Sequence, residues 1–340
     1  MKAAVFLGTH QVEIMQRPIP ALEPHQILVE VHACGICGTD IHIFNGAEGA
    51  AKTTPPTILG HEFAGIVAAV GSAVTMVQPG DHVCIDPNEM CGGCAPCKTG
   101  LGHYCEHMTG YGTTSDGGFA QFCVVPEKQA YVLEPSVPFD IGCMAEPISC
   151  CLHGIDMCQI TTGDTVLVIG GGPIGQLMLQ LAKLAGAAVT ILSEPVATKR
   201  EMALKLGTDY AFDPLTEHVD ALLEQKGLIP NVVIECVGRK QTMLDAIHLA
   251  GNKSLVMLFG LGNPADEIPI RPFELFKKEL TIRASYINPY TMERAVKLIN
   301  RNTLKLAELI GSVISLEQLP QTLASQEAFA GGKVIVHPQE

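Results

Sequence analysis

Four cysteines stand within one short loop: Cys91, Cys94, Cys97 and Cys105. Thiolates are soft metal ligands, and four of them complete the tetrahedral shell that Zn²⁺ takes in a structural site, with no position left for substrate. Gly92, Gly93, Pro96, Gly100 and Gly102 let the backbone between them wrap tightly. Residues of about 88–108 therefore read as a structural zinc lobe. An iron–sulfur cluster also uses four cysteines, but this spacing is not that of a ferredoxin. His103 and His107, close by, read as surface residues rather than ligands.

A second grouping lies upstream, where Cys37, Thr39, Asp40 and His42 follow Gly35 and Ile36, and Gly60 precedes His61 and Glu62. A catalytic zinc needs about three protein ligands and one open position. Cys37 and His61 are the first two. The third is a carboxylate, either Glu62 or Glu146, the latter followed by Pro147, Ile148 and Ser149. Taken singly, Cys37 reads as a buried thiol and Glu146 as a helix-entry residue.

A third pattern is Gly170-Gly171-Gly172-Pro173-Ile174-Gly175, a G-x-G-x-x-G run between an apolar stretch (166–169) and a helical repeat of Ile174, Leu177, Met178, Leu181 and Leu184. Gly170 permits the tight turn, Gly172 lets backbone N–H groups approach a pyrophosphate, and Gly175 allows close helix–strand packing. Pro173 and Ile174 open the helix whose N-terminus faces that anion. Glu194, nineteen residues after Gly175, ends the next apolar run. A carboxylate there accepts both adenosine-ribose hydroxyls of NAD and repels a 2′-phosphate. Lys199 reads either as lining the adenosine end or as a solvated helix lysine.

Positioning these groups requires two kinds of scaffold. The 340 residues are 47% hydrophobic and 17% charged, which excludes disorder and is enough chain for about two domains. Up to residue 150, short β-rich runs (27–31, 63–70, 83–85) are separated by Gly, Pro and Asp, with few helix-length repeats, as expected of a small barrel or sandwich. From about Gly163, strands at 166–169, 189–192, 232–236, 255–259 and 280–284 alternate with helices at 174–185, 198–206 and 242–250. That alternation implies an α/β, doubly wound parallel sheet. The tail, with a helix at 291–300 and strands at 310–314 and 333–336, is expected to return to the first domain.

The formal net charge of −13 repels nucleic acid and anionic membranes, so neither is an expected partner. The apolar stretch 165–192 is broken by its glycines, Gln176, Gln180 and Lys183, and reads as strand–turn–helix–strand rather than a membrane span. No targeting segment is visible, which makes the protein cytoplasmic by expectation, and thirteen cysteines there point to thiolate ligands rather than disulfides. The eight outside the two sites read as buried small apolar residues.

The ordered set of Cys37-Gly38-Thr39-Asp40-x-His42, Gly60-His61-Glu62, the four-cysteine lobe, Glu146-Pro147 and the glycine-rich loop resembles the zinc-dependent medium-chain alcohol dehydrogenases over essentially the whole chain. The resemblance implies a GroES-like β-barrel catalytic domain (1–152 and 288–340) and a Rossmann NAD-binding domain (153–287). It makes Cys37, His61 and Glu146 ligands of a catalytic zinc, with Glu62 a ligand or a hydrogen-bond partner of zinc-bound water. Asp40 would orient His61, and Thr39 and His42 would form the proton route from the alcohol oxygen to solvent. It also implies two zinc ions per chain and a homodimer or homotetramer, with strands 255–259 and 280–284 apolar enough to contribute to the contact.

Within the family, Glu-Pro after the catalytic lobe resembles the polyol and diol dehydrogenases of the sorbitol and butanediol type. Threonine dehydrogenases share the Cys-Gly-Thr-Asp-x-His-Ile run but carry Asp-Pro-Phe-Gly-Asn where this chain has Glu146-Pro147-Ile148-Ser149-Cys150. The expected reaction is NAD-linked oxidation of a secondary alcohol of a neutral polyol or diol to a ketone. Alternatives are an L-threonine 3-dehydrogenase-like enzyme, a phosphorylated-polyol dehydrogenase, and a non-catalytic NAD-binding protein, which would have no need of an open metal site. Phe44, Asn45, Lys52 and the loop to Ile58 are expected to line one pocket wall, with Ser285, Tyr286 and Asn288 near the nicotinamide.

Overall fold

Along Gln26–Gly35 buried side chains alternate with partly exposed ones, the period of a strand with one face on a core. In the computed structural model, which describes residues 1–47, 52–325, 329 and 331–340, this strand is the hub of a seven-stranded sheet. It pairs antiparallel with Glu62–Val70, Phe122–Pro126 and Lys333–His337; the sheet continues to His82–Ile85 and Ala130–Val132 on one side and to Ile310–Ser315 on the other. A three-stranded sheet of Gln11–Gln16, Lys2–Gly8 and Thr57–Ile58 adds to it. Val5, Ile27, Val29, Val31, Phe63 and Phe119 are buried in the core of this first unit, which comprises Met1–Ser149 and Ile287–Glu340.

The second unit, Cys150–Tyr286, is built on a six-stranded sheet, parallel throughout. Its strand order is Tyr210–Phe212, Val189–Ser193, Thr165–Ile169, Val232–Glu235, Leu255–Leu258, Thr281–Ala284. This is the 3-2-1-4-5-6 order of a doubly wound nucleotide-binding fold. Thr165–Ile169 lies between two neighbours and is buried after its first residue, as a central parallel strand must be. The helix after it, Pro173–Ala185, has Gly172 as N-cap, Pro173 in the first turn and Gly186 in the left-handed conformation as its stop.

Several elements depart from the sequence reading. Residues 145–150 are not part of a helix-poor region, because Ala145–Cys158 is a fourteen-residue helix. Pro147 sits in its first turn, where a missing N–H costs no hydrogen bond. The short strand Tyr210–Phe212 and the helix Val219–Gln225 are additional to the alternation read from the sequence.

Candidate metal centres and cofactor loop

Cys37 follows the strand Gln26–Gly35 and caps the helix Gly38–Phe44, while His61 and Glu62 stand where Glu62–Val70 begins. The ladder sets Gly35 opposite Glu62, which brings the two segments together. Gly60 enters that strand with φ +91°, and a Cβ there would meet Phe119 and Cys34. One ligand atom from each of Cys37, His61 and Glu62 falls within 4.8 Å of the others. Asp40, fully buried, accepts the Cys37 N–H at 2.8 Å through one oxygen and holds the other 3.5 Å from His61 Nδ1.

Burial disfavours charge on His61, yet Asp40 and Cys37 together raise its affinity for a proton well above the usual histidine range. The site thus favours a positive charge at this point. Soft sulfur, imidazole and carboxylate donors around such a point fit a zinc ion. Glu146 is buried in the first turn of Ala145–Cys158 and does not belong to the set gathered within 4.8 Å. Thr39 and His42 lie one turn apart on the capped helix, both partly exposed, a spacing that puts them on one face.

The four lobe sulfurs also lie within 4.8 Å of one another, and Cys94 Sγ to Cys105 Sγ is 3.8 Å. Sulfurs about 2.3 Å from a tetrahedral centre are about 3.8 Å apart, whereas a disulfide would bring them to about 2.05 Å. Backbone N–H groups of Gly93, Cys91 and His107 donate to these sulfurs at 3.3–3.4 Å. Such donors favour the thiolate: the Cys91 thiol is pulled down to about 6 by the N–H groups of Gly93 and Cys94 and by Cys105. His107 thus serves the lobe through its backbone. Of the eight other cysteines, Cys34, Cys84, Cys123, Cys143, Cys151 and Cys158 are buried.

In the second unit Gly170 has φ +100°, and a Cβ on it would meet Val237; one on Gly175 would overlap the Gly170 carbonyl. Nothing lies within 4 Å of a Cβ placed on Gly172, so the N-terminus of the helix is open to a ligand. Glu194 is 5% exposed and accepts the Gly171 N–H at 2.6 Å and the Val196 N–H at 2.8 Å. Its carboxylate therefore braces the loop, with lone pairs left over for further donors. Ile174 and Lys199 are partly exposed, and the Lys199 carbonyl accepts from Gln176.

Two of the expected pocket residues are buried. Phe44 is a core residue, 5% exposed and edge-on to His10. Asn288 is fully buried and donates to Asp86 and Ser149 while accepting from Asn88, which makes it a structural bracket of the first unit. Asn45 and Lys52 are exposed. Residues 48–51 of the same expected wall lie outside the described residues. Sequence reasoning missed Arg200, which donates to the Glu194 carbonyl and pairs with Asp213. It also missed Lys333, whose buried ammonium pairs with Glu62. The available signal was a single charge inside the apolar run 333–336.

Residues 23–135 match the alcohol dehydrogenase GroES-like domain, and residues 173–301 match the zinc-binding dehydrogenase domain. The chain belongs to the zinc-dependent medium-chain alcohol dehydrogenases, and it is an oxidoreductase of that class. It is 32% identical to probable D-xylulose reductase A of Aspergillus clavatus, over 98% of this chain and 95% of that one. It is 32% identical to L-threonine 3-dehydrogenase of Caldanaerobacter subterraneus subsp. tengcongensis, over 96% and 95%. A crystal structure from Sinorhizobium meliloti 1021, assigned as a zinc-binding dehydrogenase and bound to NADP, superposes with a TM-score of 0.95 at 37% identity, covering 99% of both chains. Among the described residues no helix is long and apolar enough to cross a membrane.

Proposed function

We propose that this protein oxidises a secondary alcohol of a neutral polyol or vicinal diol to the ketone, with NAD⁺ taking the hydride. The observation that carries the reading is the convergence of Cys37, His61 and Glu62 on one point, backed by a buried Asp40, in a chain similar over its length to a xylulose reductase. When bound, zinc supplies Lewis-acid stabilisation of the alcohol oxygen, and NAD supplies the hydride acceptor.

The chain's own residues do the rest. Cys37 and His61 hold the metal, with Glu62 or Glu146 as the carboxylate ligand; Asp40 fixes the His61 ring by facing Nδ1. Thr39 Oγ1 accepts the alcohol proton as it gives up its own toward the nicotinamide ribose, and His42, one turn on, takes a proton from that ribose and releases one to water. In the second unit Gly170, Gly172, Pro173, Ile174 and Gly175 present the helix N-terminus to the pyrophosphate, Glu194 faces the adenosine ribose, and Lys199 flanks it. The four lobe cysteines hold a second, structural zinc, giving two per chain. The chain acts as a cytoplasmic homo-oligomer, dimer or tetramer.

Two observations define the competing arms. Similarity to a threonine dehydrogenase makes L-threonine the runner-up substrate, and the NADP-bound relative makes NADP the runner-up cofactor. The test is reduction of NAD and NADP by zinc-loaded protein against polyols, diols, phosphorylated polyols and L-threonine. NAD-linked oxidation of one polyol or diol group is expected. Turnover only of threonine, only of a phosphorylated polyol, or only with NADP would replace that part of the reading.

A further inference from the structure

The Glu62 carboxylate is 1% exposed, and the only cation given to it among the described ion pairs is Lys333, itself 6% exposed. Lys333 opens the strand Lys333–His337, which pairs with Gln26–Gly35 through Ile335 and Gly35. Gly35 in turn faces Glu62 across the other ladder. A Cβ on Gly35 would run into both the Glu62 carboxylate and Lys333 Cε, so the bare backbone there makes room for this pair. Burying an ammonium and a carboxylate costs several kcal/mol per ion unless they meet. Two ladders and a glycine converge to let them.

We propose that Lys333 is a positioning residue that acts as a fixed cation beside the Cys37–His61–Glu62 set, holding the ligands together without metal and opposing the metal's charge when it is bound. The inference rests on the catalytic-zinc reading of that set. Its physical basis is charge. The Glu62 carboxylate and the buried Asp40 carboxylate stand beside Cys37 and His61 in a low-dielectric interior, where like charges repel. One internal ammonium offsets part of that repulsion. A divalent ion entering the set meets an ammonium already seated on one of its ligands. Lys333 therefore trades zinc affinity for an ordered metal-free site.

The test uses the full chain as wild type, Lys333→Met and Lys333→Arg, each prepared metal-free and zinc-loaded. Methionine keeps the length and loses the charge; arginine keeps the charge. Relative to wild type, Lys333→Met should lower the melting midpoint of the metal-free protein more than that of the zinc-loaded protein. It should also hold the zinc at the Cys37–His61–Glu62 set at least tenfold more tightly against a chromophoric chelator. Cobalt substituted at this site should show altered visible bands in Lys333→Met, as Glu62 is released toward the metal, and wild-type bands in Lys333→Arg. A merely structural lysine would weaken zinc binding on removal, and that result, or unchanged affinity, overturns the proposal. Should metal-free Lys333→Met fail to fold, zinc release from protein produced in the loaded form decides: slower release supports the proposal, equal or faster release overturns it. One zinc per wild-type chain, retained in Cys37→Ser, would remove the zinc reading itself. Two per chain without tightening would overturn only the role of Lys333.

Discussion

Asp40→Asn removes one buried charge while keeping the side chain's shape. The native carboxylate is fully buried, accepts the Cys37 N–H at 2.8 Å, and faces His61 Nδ1 at 3.5 Å. Loss of the acceptor behind a metal-ligating histidine costs about 10–100-fold in metal affinity. That corresponds to about 1.4–2.7 kcal/mol. The asparagine carbonyl can still accept from Cys37, so that bond falls from about 1.5–3 kcal/mol to about 1 kcal/mol. Asp40→Asn should therefore hold the Cys37–His61 zinc about 10–100-fold more weakly, keep the lobe zinc, and lose about 0.5–2 kcal/mol of stability. The assay is chelator competition on purified protein, with elemental analysis for stoichiometry and denaturant unfolding for stability. Two zinc ions held with wild-type affinity would refute the claim that Asp40 orients a ligand. Loss of both would refute the claim that its effect is local.

Cys97→Ser should release the lobe zinc and leave one per chain, with the melting midpoint falling by several degrees; a two-zinc protein of unchanged stability would count against the lobe assignment. Glu194→Gln should raise the ratio of NADP to NAD efficiency at least about tenfold, because it removes the charge that repels a 2′-phosphate carrying about −1.5 to −2 units; paired kcat/KM measurements read it directly. His337 Nε2 lies 2.7 Å from Asp140, and although burial opposes the charge, Asp140 and Glu340 raise its folded pKa. A raised histidine contributes stability that is complete below its ordinary value of about 6.5 and is lost as pH climbs through the folded value. With both groups about a quarter exposed, Asp140→Asn should cost no more than about 1 kcal/mol at pH near 5.5 and almost nothing near 8.5, read from unfolding curves at the two pH values.

Legibility in the sequence followed the distance over which each feature is built. The lobe's four donors lie within one loop, so their spacing alone specifies a closed four-sulfur shell, and the structure places the sulfurs where such a shell needs them. The glycine-rich loop is equally local: a buried parallel strand, a turn that only glycine tolerates at φ +100°, and a helix start follow one another along the chain. Strand and helix periodicity were enough for the doubly wound sheet, though the three-residue edge strand Tyr210–Phe212 is too short to carry a period. The helix Ala145–Cys158 escaped because its polar and apolar residues are mixed around the axis and Pro147 reads as a breaker unless its first-turn position is known.

The sequence by itself determined which chemistries were available: soft donors for zinc, an anion-binding helix start, an acidic residue at a strand end. Tertiary structure decided which of those groups meet. Whether Glu62 or Glu146 stands with Cys37 and His61 depends on the register of Gln26–Gly35 against Glu62–Val70, where a slip of one residue would turn Glu62 to the opposite face. Phe44 and Asn288 carry pocket-like chemistry in sequence, but packing against His10 and hydrogen bonding to Asp86 and Ser149 place them inside. Lys333 stands 271 residues from its partner carboxylate. The cost of burying a charge is set by what faces it across a folded sheet, and no stretch of local sequence contains that term.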